Sequence, residues 1–404
     1  MDFDPAIALG YARTLAQPRR VGTDANERVV AELSQQLTTL GAQVELQSFS
    51  FSAWAGSAAV LPVLALQILI VGIFWAWSLG TWAPVLPAAL LLGLLAFSSR
   101  LYRSAAAASL IPPEGPRTGV EGWRRLQIRS GPVWHATNIV ATLPARPGSV
   151  SHAPVYLMAH SDSKSQALSL VARMSLIGLA GVATALFGAL TLLRPVFPAV
   201  TAAAALAGLV ALVAGMPVLL LCLSEVGNTS PGAIDNASGA GLVLHLAECL
   251  RSRPAAIPVV VLITGAEELG LLGALEYVRR TGAAPLHEAL ILNFDGIGTD
   301  GRLALGGGRG GRLAGLVRKA CNELGVPLGH LPLVGAQFDH LPFADAGLQA
   351  LSLVTVGRAA LSIHTAQDDA AKLHIDGFRR AGEVALRVLE MLEREGSGPA
   401  NAGR

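Results

Sequence analysis

Four stretches of this 404-residue chain are apolar enough to cross a bilayer, and they come in two close pairs. A helix needs about 20 apolar residues to span the hydrocarbon core. The first pair occupies residues 58–77 and 82–97, joined by "SLGT"; the second occupies 174–193 and 200–223, joined by "LRPVFP". Residues 82–97 are short for a span, and Pro84 and Pro87 weaken them. Trp75, Trp77 and Trp82 flank the first turn as an interfacial aromatic belt would, and Arg173 is placed to snorkel at the edge of the third run. Charged residues make up only 14% of the chain, against about 25% in soluble domains, and the mean hydropathy is +0.51. Buried helices of a large soluble core are the alternative. Four charge-poor runs in two pairs instead favour two transmembrane hairpins, over residues 57–98 and 167–224.

Without the hairpins, residues 1–56, 99–166 and 225–395 remain, enough for about one large domain, with a tail at 396–404 expected to be disordered. Their pattern alternates. "NERVVAELSQQLTTLG" has helical periodicity, and "AQVELQSF", "NIVATL", "PVYLMAH", "IPVVVLITG", "ALILNFD", "RLALGG" and "LQALSLVTV" read as strands. Helices are expected near 239–252, 268–281, 310–324 and 371–395. Strands alternating with helices predict an α/β fold, a mixed, mostly parallel sheet flanked by helices. In such sheets, sites gather beyond the carboxyl ends of the strands. A net charge of +2 with no Lys/Arg run argues against a nucleic-acid partner. Cys222, Cys249 and Cys321 have no metal-like spacing and cannot all pair, which fits a reducing compartment or simply no disulfides. No basic n-region precedes an apolar h-region in the first 50 residues, so no secretory signal is expected.

The acids and histidines of this charge-poor chain cluster at predicted strand ends. His160 and Asp162 close "VYLMAHSDS", Asp235 sits in "GAIDNASGAG", Glu267 and Glu268 close "VVVLITGAEE", Asp295 closes "ILNFDGIG", and His364 follows "LSLVTV". Each has an ordinary explanation alone: a surface turn, a helix cap, or acids at a helix N-terminus. Together, two imidazoles and three carboxylates suit two zinc ions with one carboxylate bridging, and a spare carboxylate can act as general base. That accounts for two glutamates side by side, whose like charges would otherwise repel.

The ordered set HxD, GAxDNxSG, EExGLxG, NxDxxG and IHTxxD resembles metallopeptidase family 28, the di-zinc aminopeptidases, which also contains glutaminyl-cyclase-like members. The resemblance covers the chain apart from its hairpins, including the opening "RVGTDANERVVAELSQQLTTLGAQVELQSF" and the late "FDHLPFADAGLQALSL". It implies His160 and Asp295 on one zinc, Glu268 and His364 on the other, Asp235 bridging, and Glu267 as general base. Asp162, counted with Glu267 as catalytic, and Asp368 would orient the two histidines, with Asp369 a substitute for Asp368. Two departures stand out. Ile363 precedes His364 where members often carry a tyrosine that stabilises the oxyanion, leaving Arg358 as a stand-in, and about seventy residues separate Asp162 from Asp235.

The expectation is therefore a multi-pass membrane zinc exopeptidase of aminopeptidase type, cutting peptide bonds with water activated at the metals and favouring apolar or membrane-proximal peptides. The rivals are a glutaminyl cyclase or other amidohydrolase on the same fold, and a non-catalytic receptor. Arg100, Arg103, Lys164 and Arg173 outnumber Arg194 across the hairpins, which places the catalytic domain in the cytoplasm.

Overall fold

A computed structural model describes residues 3–111, 131–146, 153–224, 226–308, 310–331 and 336–396. Two helices open the chain, α1 (Pro5–Leu15), which the sequence pattern did not announce, and α2 (Asp24–Thr39). Asp4 caps the first by accepting the Ala6 N–H at 2.8 Å, with Pro5 at the first position, where no intrahelical N–H is needed. Strand β1 (Gln43–Ser52) leads into the first hairpin, α3 (Val60–Ala76) and α4 (Val85–Ala107). A short β2 (Leu110–Ile111), β3 (Val133–Thr142) and β4 (Val155–His160) follow. The second hairpin, α5 (Leu170–Leu193) and α6 (Thr201–Leu223), leaves close to the end of β4. Then come α7 (Ser238–Ser252), β5 (Val259–Thr264), α8 (Leu272–Thr281), β6 (Leu290–Phe294) and β7 (Arg302–Gly306). The chain continues through α9 (Arg312–Leu324), β8 (Leu328–Leu331), α10 (His340–Asp345), β9 (Gln349–Val356) and α11 (Ile375–Gly396). Gly396 thus ends a helix, and the rest of the expected disordered tail, 397–404, lies outside the described residues.

The strands form one nine-stranded sheet in the order β2-β1-β3-β5-β4-β6-β9-β7-β8. Its centre, β5-β4-β6-β9, is parallel, while β3 joins β5 and β7 joins β9 antiparallel. β4, β5 and β6 are buried at every position, as strands covered on both faces must be, and this explains their unbroken apolar runs. One face packs α1, α2, α7, α9 and α11 through Leu157, Val261 and Leu292; the other packs α8 and α10 through Met158, Leu262 and Ile291. The mixed α/β sheet expected from the sequence is present.

The four apolar helices stand beside this domain with a small core of their own, built on Ile70, Ile73, Leu91 and Phe187. A Cβ at Gly208 would lie 2.6 Å from the Phe187 ring and 2.7 Å from Phe74, so a small residue lets the helices meet closely. All four are long and apolar enough to cross a membrane, yet at most 28% of the most apolar stretch of each is buried. Ile68, Trp82, Leu86 and Val213 are over 60% exposed. Helices of a soluble core would bury that surface, so the soluble-core alternative does not describe them. The second run differs from its sequence reading. Its helix is 23 residues long, with Pro84 just before it and Pro87 in its first turn, where proline starts a helix rather than breaking one. Its last turns carry Arg100 and Arg103, which pair with Asp345 at 3.3 and 2.6 Å and dock the hairpin on the α/β domain.

Candidate metal centre

The carboxyl ends of β4, β5, β6 and β9 point to one place. His160 ends β4, and its Nδ1–H donates to the Asp162 carbonyl oxygen at 3.1 Å, which leaves Nε2 facing outward. That nitrogen lies 3.0 Å from Asp235 Oδ1 and 3.8 Å from both Asp295 Oδ2 and Glu267 Oε2. On the far side, His364 Nε2 lies 3.0 Å from Asp235 Oδ2 and 3.0 Å from Glu268 Oε2. The two oxygens of Asp235 therefore face two histidines. In each of two triads, His160–Asp235–Asp295 and Asp235–Glu268–His364, one donor atom per residue lies within 4.8 Å of the others.

Local sequence explains how these groups are held. Asn236 donates to the Phe294 carbonyl at 2.8 Å and accepts from Gly239 N at 2.9 Å and Gly296 N at 3.3 Å, fastening the Asp235 turn to the Asp295 turn. A Cβ at Gly239 would lie 2.3 Å from the Phe294 carbonyl oxygen, and one at Gly273 would lie 2.4 Å from the Gly265 carbonyl oxygen. Close backbone approach thus accounts for a glycine in each of the two motifs. Glu267 and Glu268 do not open the expected helix at 268. They form a 3-10 turn after Ala266, whose φ is +56°, and α8 begins only at Leu272. Ala266, Leu271 (φ +60°) and His364 (φ +62°) are the non-glycine residues with left-handed backbone, among those described, and all flank this centre, a placement typical of functional sites.

The electrostatics suit a cation. Burial alone would lower the His160 pKa, but Glu267, Asp162, Asp235 and Asp295 reverse this and hold it well above the usual imidazole value. Burial and the neighbouring carboxylates Glu268, Asp339 and Asp295 push Glu267 well above the ordinary range despite His160. Burial, with Asp235, does the same to Asp295. His364 Nε2 approaches its two carboxylates without hydrogen-bond alignment, and Glu268 Oε1 has no partner. Buried acids crowded round imidazole nitrogens, with unaligned donor atoms converging, form a nitrogen and oxygen set of the kind zinc takes.

A sequence model of Peptidase family M28 matches residues 216–389, which contain Asp235, Glu267, Glu268, Asp295, His364 and Asp368. The match takes in less than half of the chain. Aminopeptidase YwaD of Bacillus subtilis is 41% identical to it over 71 residues, 17% of this chain and 16% of that protein, so this relative is matched over a small part of its length. Solved structures share the fold of almost the whole chain. The zinc aminopeptidase BSAP of Bacillus subtilis aligns at 15% identity over 97% of this chain and 95% of its own, with a TM-score of 0.56. An aminopeptidase of Aneurinibacillus sp. strain AM-1 aligns at 14% identity over 97% and 94%, also at 0.56. A Bacteroides thetaiotaomicron glutaminyl cyclase aligns at 15% identity over 96% and 98%, at 0.55.

Around this centre, other expected residues fall differently. Asp162 accepts the N–H groups of Glu267 at 3.1 Å and Glu268 at 3.2 Å and lies 3.5 Å from His160 Nδ1, so it holds the glutamate pair as well as the histidine. Asp368 accepts from Ile234 N at 2.7 Å and Asp235 N at 3.2 Å; it braces the Asp235 loop rather than His364. Asp369 caps the next turn through Ala371 N. Arg358 is exposed, with no hydrogen bond or ion pair to the site among the described residues. Three cations were missed. Lys164 Nζ sits 2.9 Å from Glu268 Oε2, and Arg173 Nη2 donates to His364 Nδ1 at 2.9 Å instead of snorkelling. Buried Arg19 donates to the carbonyls of Ser161, Pro231 and Gly232 beneath the centre. A lysine four residues after the HxD histidine, in a chain so poor in charge, was the available signal.

Proposed function

We propose that this chain is a membrane-anchored, zinc-dependent exopeptidase of aminopeptidase type. One observation carries the reading: two ligand triads share Asp235, with Glu267 beside them at the strand ends. His160, Asp235 and Asp295 would hold one zinc ion and Asp235, Glu268 and His364 another; when bound, zinc supplies Lewis acidity toward a peptide carbonyl and makes water a nucleophile near neutral pH. The chain's own part is to place and move protons. Glu267, with its raised pKa, accepts the proton of the attacking water and passes it to the leaving amine. Asp162 keeps Glu267 and Glu268 in register through their N–H groups, and Asp368 keeps the Asp235 turn in place.

The two hairpins put all parts of the α/β domain on one side of a bilayer, and the count of Arg and Lys makes that side cytoplasmic. Arg103, Lys164 and Arg173 are engaged inside the protein, so Arg100 is the exposed member of that set. A reporter fused after Arg404 reads this placement directly, and activity on the exoplasmic face alone would refute it. The glutaminyl-cyclase fold neighbour raises a second reading on the same site. A peptide beginning with glutamine separates the two. The peptidase releases free glutamine, and a chelator stops the release; a product that keeps its chain length and loses ammonia instead supports the cyclase.

A further inference from the structure

The two triads are not equivalent. His160 meets carboxylates on its Nε2 side and donates its Nδ1–H to a carbonyl, the arrangement that leaves a lone pair for a metal. His364 has the opposite neighbour. The Arg173 guanidinium can only donate, so His364 Nδ1 accepts from it and the ring proton sits on Nε2, the atom facing Asp235 and Glu268. Glu268 Oε2, the oxygen nearest His364, also binds the Lys164 ammonium at 2.9 Å, and Lys164 donates to the Glu268 carbonyl at 3.0 Å. Lys164 lies in the link between His160 and α5, and Arg173 lies in the first turn of α5. That link is fixed: Ser165 and Gly227 form a two-way bridge at 3.0 and 2.9 Å, and Gln166 N donates to the His364 carbonyl at 2.9 Å. Entry to and exit from the second hairpin are thus tied together beside the second triad.

We propose that Lys164 and Arg173 gate the Asp235–Glu268–His364 triad, so that this centre takes up its metal in two grades. The His160–Asp235–Asp295 triad binds the first ion tightly. The second ion enters only when Lys164 releases Glu268 and Arg173 releases His364, and like charge at close range opposes it. The segment rooting a membrane hairpin therefore sets the occupancy of the second site. This deepens the zinc reading above, and binding is measured without substrate. A protein that binds two ions in two grades but cuts no peptide would sink the peptidase reading and leave this one standing.

The test is to titrate zinc into metal-free, full-length protein in detergent, measuring stoichiometry and affinity of each ion. Wild type should bind a second ion about 10–100-fold more weakly than the first, the usual reach of groups that touch metal ligands. Lys164→Met should narrow that gap, and Arg173→Met should narrow it further in combination. Equal affinities in wild type, or an unchanged gap in a folded Lys164→Met, overturn the proposal. Should Lys164→Met fail to fold, Glu268→Gln and Asp295→Asn decide. The first should keep the tight ion and the second lose it, and the reverse result overturns the assignment.

Discussion

At the scale of single residues, what the sequence showed was chemistry at strand ends, and what it hid was whose side chain touches which. The positions of His160, Asp235, Glu267, Glu268, Asp295 and His364 follow from strand-end reading plus motif order, because a β-strand delivers its last residue to a fixed edge of the sheet. The contacts of Lys164, Arg173 and Arg19 did not follow, because a long cationic side chain reaches many partners and only the folded backbone selects one. Asp368 was misplaced for a related reason: two N–H groups of the Asp235 turn lie within its reach, and a carboxylate goes to unpaired donors. The glycines of the motifs make a stability prediction. Gly239→Ala adds a methyl group against the Phe294 carbonyl oxygen, where the neighbour is backbone and cannot turn away. Overpacking of this kind costs about 1–3 kcal/mol. Thermal or denaturant unfolding should show that loss, and unchanged stability would mean the two turns are not held as closely as described.

At the scale of elements, the strands were the most legible part, since long apolar runs in a parallel centre announce themselves. Helix α1 and strands β2 and β8 were not: α1 buries one face against elements distant in sequence, β2 has two residues, and β8 is a four-residue edge strand with no buried position. The α4 boundary moved because proline was read as a breaker where it starts a helix. Hairpin 2 carries the functional consequence. α5 begins at Leu170, only eight positions beyond Asp162 (170 − 162), and the link between them is pinned to Gly227. At no more than about 3.6 Å per residue, such a link would hold the ligand cluster near the bilayer surface of the proposed membrane-anchored enzyme. Peptides already partitioned into that surface, with an apolar and uncharged first residue, should be the favoured substrates. In liposomes, one N-terminal sequence carried on a membrane-binding tail should show a higher kcat/KM than on a hydrophilic tail. Equal values would make the hairpins anchors and nothing more.

At the scale of the whole molecule, an α/β domain and a four-helix apolar bundle are joined through their most critical surfaces rather than by a free tether. Hairpin 1 docks through Arg103 and Asp345 and packs Ala105 and Ala106 near Ala266, which precedes the glutamate pair; hairpin 2 roots beside Glu268 and His364. The same few charges thus serve both halves, which explains how a chain with 14% charged residues still crowds acids into one place. The central claim is that this shared centre hydrolyses peptides with Glu267 as its proton carrier. The most direct test compares wild type and Glu267→Gln, both full length in liposomes with zinc supplied, for bound zinc and for release of an N-terminal residue. The amide keeps the shape of the side chain but is a far poorer proton acceptor, so turnover should fall at least about 10²-fold while zinc content stays the same. Near-wild-type turnover at unchanged zinc would contradict the account.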